Sequence, residues 1–310
     1  MNATVKGYLL GAVAAATYGM NPLFALPLYR HGMDPDSVLF FRYLFALPIL
    51  ALMMRLRGRT FGVERRAWLP LSAYGVLFAV SSLTLFQSYR FMDAGIASTL
   101  LFVSPLLVAL IMGLFFRERL SLATICCLLL ATGGIGLLYK AADGATLSLA
   151  GTLLVGGSAL SYAIYIVGVN HSCLKETATL KITFYVSLFG LLLFALLLFA
   201  GEGLRLPDAW YLWGCCLALG LFPTALSLLC TTAAIHRIGS TPTAILGVLE
   251  PVTALLIGTT IFGETLTRRD LAGIALIFAA VGWVIAGGSV GGYFVRLRKL
   301  FPKRTDGRKK

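Results

Sequence analysis

Charged and turn-forming residues cut this chain into ten apolar runs, each close to the length a helix needs to cross a membrane. The runs cover approximately residues 6–28, 37–54, 68–89, 95–116, 121–139, 148–169, 181–200, 210–234, 241–262 and 270–288. A hydrocarbon core of roughly 30 Å takes about 20 apolar residues at the helical rise. Transmembrane strands would alternate polar and apolar over about ten residues each, whereas these runs are continuous, which argues against a β-barrel. Hydrophobic residues make up 58% of the chain and charged residues 13%, too little polar surface to cover a soluble particle of 310 residues. The expected fold class is an all-α integral membrane protein with ten transmembrane helices, and little chain is left for a soluble catalytic domain.

Within these runs one pattern occurs twice. A proline in mid-run is followed thirteen residues later by a glutamate where the run ends: FVSPLLVALIMGLFFRERLS carries Pro105 and Glu118, and VLEPVTALLIGTTIFGETLT carries Pro251 and Glu264. The register reaches further back, with AATYGMN at Tyr18 matching ALSYAIY at Tyr162 and Gly95 matching Gly239, two residues out of step with the later pairs. A duplication with one two-residue insertion accounts for the whole series, a construction plan common in secondary transporters. The halves then read as residues 1–140 and 141–290, followed by a basic tail, 291–310. Five helices per half is an odd number, so the second repeat must sit upside down relative to the first.

The net charge of +13 would suit nucleic acid, but its placement points to membrane topology instead. Eight of the 26 basic residues lie between Arg296 and Lys310 and five between Arg55 and Arg66. With the N-terminus inside, 19 basic residues fall on the inner side and six on the outer, with Arg42 left inside a helix. Excess Lys and Arg mark the cytoplasmic face, so both termini are expected inside. The first run resembles a signal peptide after Lys6, but its length, its Asn21, Pro22 and Pro27, and its counterpart in the sixth run mark a permanent span. The six cysteines show no CxxC spacing and no neighbouring histidine, and read as small hydrophobes rather than metal ligands. The glycine-rich GGIG at 133–136 and GGSVGG at 287–292 follow no strand, and small residues are expected where membrane helices approach closely.

Polar groups at membrane depth are costly and therefore informative. Glu250 lies ten residues from Ser240, about 15 Å along a helix and so near the midplane, and Pro251 behind it frees a carbonyl one turn earlier. It reads as a ligand for a substrate amine or a proton acceptor; Ser104 fills its place in the first copy, so the fold itself does not need the carboxyl. Arg42, about 9 Å below the outer boundary, has two readings: an anchor that snorkels to the interface, or a fork for a substrate carboxylate. Tyr18 and Asn21 share one helix face, Tyr162 and Tyr165 another, and the repeat turns these pairs toward each other. They suit a cavity for an amphipathic metabolite, or ordinary helix packing. Gln87 is the most suggestive member of a polar stripe on the third run, whose small hydroxyls are expected to serve packing. Glu118 and Glu264 are expected to hold helix ends at a gate or hinge, and Pro105 and Pro251 to kink their helices. His31, His171 and His236 fall in expected solvated loops.

Two five-helix repeats each ending in Pro-x12-Glu-x-Leu, with Arg42 early in the second helix and Tyr18 and Tyr162 in the first and sixth, resemble the EamA family of the drug/metabolite transporter superfamily over roughly residues 6–288. The strongest carrier is EPVTALLIGTTIFGET; the first copy departs from it with Ser104 before its proline and RER around Glu118. The resemblance implies a central cavity, alternating access and export of amino acids or similar metabolites, with no enzymatic activity. The expected protein is a monomeric or loosely associated inner-membrane carrier of a small molecule, most simply an amino acid or derivative, with protons as the coupling ion if coupling exists. No nucleic-acid partner, cofactor or metal is implied, and no GxxxxGK[ST] segment would power it directly. A passive facilitator, or a carrier of another metabolite class, is the alternative; a membrane-embedded enzyme finds no support in the histidine spacing.

Overall fold

The computed structural model describes residues 3–92, 97, 100–101, 103–117, 122–138, 148–201, 203–261, 268–269 and 271–283. Gly95, Glu118, Glu264 and the basic tail lie outside them. Every regular element among the described residues is helical. In chain order these are α1 (Ala3–Tyr18), α2 (Asn21–Arg30), α3 (Pro35–Leu56), α4 (Arg65–Ser88), α5 (Val103–Phe116), α6 (Leu122–Leu138), α7 (Leu149–His171), α8 (Thr179–Ala200), α9 (Trp210–Leu219), α10 (Ser227–Ile238), α11 (Ser240–Leu246), α12 (Leu249–Ile261) and α13 (Leu271–Trp283). Among the described residues six stretches are long and apolar enough to cross a membrane: Ala3–Arg30, Pro35–Leu56, Arg65–Ser88, Leu149–His171, Thr179–Ala200 and Trp210–Ile238. Large apolar side chains such as Leu69, Leu192, Phe199 and Trp210 face outward, as lipid contact requires.

Local chemistry sets the ends of the elements. Asp34 caps α3 by accepting from the Ser37 N–H at 3.0 Å, ahead of Pro35, whose missing N–H costs nothing in a first turn. Ser148 caps α7 through the Gly151 N–H at 3.3 Å.

Three membrane-depth helices are interrupted. The first breaks at Gly19–Met20, and α2 restarts with Asn21 and Pro22. The second breaks at Gly247–Val248, and α12 restarts with Glu250 and Pro251 in its opening turn. Between α9 and α10 the chain widens into a π-helical segment, Gly220–Leu226, around Pro223. Pro223 cannot bond the Leu219 carbonyl one turn back, and the Thr224 hydroxyl takes over, donating to that oxygen at 2.8 Å.

Close approaches join these interruptions to their neighbours. A Cβ on Gly19 would come within 2.5 Å of the Glu250 carbonyl oxygen, so only glycine lets α12 lie against the first break. A Cβ on Gly220 would meet the Arg42 carbonyl at 3.0 Å and the Phe45 Cβ at 2.8 Å, which binds the wide turn to α3. Around them α4 packs on α7 and α8, α1 on α10 and α12, α3 on α8 and the wide turn, and α5 on α7 and α11. Buried hydroxyls stitch these pairs together: Ser81 with Ser158 at 3.1 Å, Tyr43 with Ser82 at 3.1 Å, and Ser227 to the Ala14 carbonyl at 2.9 Å. That is the packing role expected of the small hydroxyls.

Candidate functional site

Arg42 is the most confined charge among the described residues, with 0% of its surface exposed. Its Nε donates to the Thr224 hydroxyl at 2.5 Å and its Nη2 to the Pro223 carbonyl at 3.2 Å. The wide turn thus supplies both acceptors, because a regular helix would use that carbonyl internally. Three rings wall the guanidinium, with Cζ 5.6 Å from the Tyr18 centroid, 5.6 Å from Phe86 and 5.9 Å from Tyr43. Nη1 has no partner, and among the described residues no carboxylate pairs with Arg42. Its partners among the described residues are the wide turn and the rings, and the side chain is fully buried against them.

Next to it the aromatic residues form a row. Tyr18 and Tyr162 stack with centroids 6.4 Å apart and planes 12° from parallel, and Tyr162 stacks on Tyr165 at 6.3 Å and 17°. Tyr165 is pinned by the Thr232 hydroxyl at 3.3 Å. Asn21, 2% exposed, follows the break below Tyr18, and neither its Oδ1 nor its Nδ2 has a partner. Glu250 is half-buried, and its carboxyl lies within electrostatic reach of the Tyr18 and Tyr162 hydroxyls, as the Arg42 guanidinium does of Tyr18. Tyr18 is thus faced by the Arg42 guanidinium, and among the described residues Arg42 and Glu250 form no ion pair. The Gly247 carbonyl, which Pro251 cannot bond, accepts the Glu250 N–H at 2.9 Å instead. Ser104, buried in the first turn of α5 beside Pro105, has an unpartnered hydroxyl.

A model of the EamA-like transporter family matches residues 5–140 and again residues 149–286. The chain belongs to that family. An uncharacterized transporter from Archaeoglobus fulgidus is 32% identical over 81% of this chain and 86% of its own length. The threonine/homoserine exporter RhtA of Escherichia coli K12 is 30% identical over 71% of each chain. The uncharacterized inner membrane transporter YicL of Salmonella typhimurium is 25% identical over 91% of this chain and 95% of its own. A solved crystal structure shares the fold at a TM-score of 0.75, covering 89% of this chain and 95% of the other at 19% identity. With its apolar helices, this EamA-like transporter is a multi-pass membrane protein.

Of the residues singled out by sequence in this EamA-like chain, Tyr18, Arg42 and Tyr162 lie in ring contact and Tyr165 extends the row, while Asn21 follows the break after Tyr18 and Glu250 opens α12, which packs on α1. Gln87 stands apart. It ends α4, faces Asp36, and lines a separate pocket of about 520 Å³ with Tyr29, Asp34, Asp36, Arg90 and Arg205. The histidines differ: His31 is exposed in a turn, as expected, His171 is exposed at the end of α7, and His236 is half-buried within a helix. His31 contacts the Tyr211 hydroxyl at 2.6 Å and Asp208 at 3.3 Å, and His236 sits inside the last turn of α10 with its Nδ1 3.3 Å from the Thr179 hydroxyl. Sequence reasoning missed Thr224 and Pro223 as partners of Arg42, although a Pro-Thr pair inside an apolar run carries the same signal that exposed Pro251.

Proposed function

We propose that this protein is a secondary transporter that exports a zwitterionic small metabolite, an amino acid or close derivative, across the inner membrane by alternating access. The observation that carries the reading is the buried Arg42 guanidinium, with no carboxylate partner among the described residues, against the Tyr18 face of the Tyr18–Tyr162 stack, with Glu250 in the opening turn of α12, which packs on α1. The free Nη1 of Arg42 and the orphaned amide of Asn21 suit a carboxylate, which would also supply the counter-charge the guanidinium lacks. Glu250 suits an ammonium group, and the tyrosine faces suit the cargo's side chain. Protonation of Glu250 and ammonium binding then compete for the same carboxylate oxygens, which gives a route to proton coupling. The name of RhtA supports an amino-acid cargo at about 30% identity.

The mechanism rests on two inverted five-helix repeats, with both termini cytoplasmic. Packing pairs that two equivalent halves would repeat support it: α4 lies on α7 as α10 lies on α1, and α5 lies on α7 as α12 lies on α1. Broken helices near the midplane are where such carriers place cargo.

The test is a thermal-shift screen of purified protein against amino acids and other metabolites, followed by flux in reconstituted vesicles. A ligand that binds the folded state raises the melting temperature by mass action. Zwitterionic amino acids are expected to stabilise the protein, whereas their amides and their decarboxylated amines are not. Glu250→Gln is expected to keep the fold and lose the pH dependence of flux. Stabilisation by the amine as strong as by the amino acid would remove Arg42 from recognition, and unchanged pH dependence would remove Glu250 from coupling.

A further inference from the structure

At the end of the bundle where α3 stops and α4 starts, the chain builds a fixed basic surface. Arg55, Arg57, Arg59, Arg65 and Arg66 are all exposed, and among the described residues none of them pairs with a carboxylate. Lys175 in the segment between α7 and α8 and Lys181 in the first turn of α8 add to them, so this end carries seven basic side chains against two acidic ones, Glu64 and Glu176. The surface is held by backbone. The Arg59 N–H closes the end of α3 on the Met54 carbonyl at 2.9 Å around Gly58 at φ 60°. The Lys181 Nζ donates to the Gly62 carbonyl at 2.7 Å and to the Thr60 hydroxyl at 3.3 Å, and the Tyr185 hydroxyl donates to the Phe61 carbonyl at 2.5 Å. The α3–α4 loop is therefore clamped onto α8, leaving a groove of about 380 Å³ lined by Arg59, Arg66, Glu64, Cys173, Glu176 and Lys181.

What adjoins the groove decides its occupant. Two residues past Arg66, Trp68 stands partly exposed, edge-on to Tyr185 at 5.4 Å and to Phe189 at 6.2 Å, and Leu69 and Leu56 beside the basic loop are largely exposed. Tryptophan at such a level marks the boundary between headgroups and hydrocarbon, and the leucines lie on its apolar side. A free anion would use the arginines and leave this apolar strip idle; a phospholipid uses both. Basic pockets between membrane helices suit anionic headgroups, with arginine matched to the phosphate oxygens.

We propose that this groove seats the headgroup of an anionic phospholipid, with Arg59 and Arg66 on its phosphodiester and Trp68 and Leu69 against the upper part of its acyl chains. The groove joins the loop after α3 to the segment after α7, one wall from each half of the chain, so its occupant restrains the movement of those two walls. The site is separate from the Arg42 cluster, and its test does not depend on the cargo.

The experiment uses full-length protein in a neutral detergent, with phosphatidylglycerol, phosphatidylcholine or glycerol 3-phosphate added. Binding is read by native mass spectrometry and by melting temperature. Phosphatidylglycerol is expected to stay bound and raise the melting temperature, and the other two are not. R59Q/R66Q is expected to bind it roughly 30-fold more weakly, from about one charge-equivalent of surface attraction lost at each position. R30Q/R90Q, which removes two exposed charges from the opposite end, is expected to bind as the parent does. Equal binding by R59Q/R66Q and the parent would overturn the proposal. So would stabilisation by glycerol 3-phosphate equal to that by the lipid, since the occupant would then be a free anion. If R59Q/R66Q does not purify, the single variants R59Q and R66Q carry the test: each is expected to bind phosphatidylglycerol roughly 5-fold more weakly, and parental binding by both overturns the proposal.

Discussion

Arg42 shows how much one side chain can hold at membrane depth. It is bound to Thr224 and Pro223 of the wide turn, ringed by three aromatics, and left with one donor free. Arg42→Lys keeps the charge but loses the planar fork that reaches both acceptors at once. That variant is expected to fold with a lower melting temperature and to lose more than tenfold in flux. Arg42→Ala removes the buried donor to the Thr224 hydroxyl and the Pro223 carbonyl and is expected to cost about 1–3 kcal/mol, measured as loss of folded protein in a denaturant titration. A lysine variant with parental flux would show that the fork recognises nothing. At this scale much of the site was legible in the sequence, because Arg42, Asn21, Tyr18 and Glu250 are polar groups where hydrocarbon penalises them. Their partners were not: that Arg42 faces residue 224 and Gln87 faces Asp36 depends on how distant helices are rotated, and hydropathy carries no information about rotation.

The elements that matter most are the ones that give up regular helix. The Gly220–Leu226 turn exists because Pro223 cannot donate and Thr224 replaces the missing bond. In an ordinary helix, replacing proline with alanine would stabilise by about 3 kcal/mol. Here Pro223→Ala is expected to gain much less, because a tightened turn withdraws the 223 carbonyl and the 224 hydroxyl from Arg42. Flux is expected to fall while the melting temperature stays near that of the parent; a large thermal gain with full flux would mean that the wide turn has no role. The interruptions were foreseeable from prolines inside apolar runs. The π-helical widening was not, since it is set by the fit of Gly220 against the α3 backbone, a contact between residues far apart in the chain. The same limit explains Gly247, whose carbonyl looked free in the sequence and accepts the Glu250 N–H.

For the whole molecule the placement of charge makes the clearest forecast. Reporter fusions at residue 1 and residue 310 are expected to be active only on the cytoplasmic side, as the 19 to 6 division of basic residues requires. Opposite locations for the two ends would rule out the inverted arrangement. The helical class and six of the apolar spans, among the described residues, were readable from run length alone, because the bilayer imposes one thickness on every crossing. The mutual arrangement of the spans had to come from coordinates, which bring Gly19 within a glycine's width of the Glu250 carbonyl. That contact has an evolutionary corollary. The residues that would grip the cargo are mounted on the joints about which the barrel would flex, so enlarging the pocket for a bulkier passenger also resets the stroke of the machine. In such a chain, selectivity and turnover are inherited together.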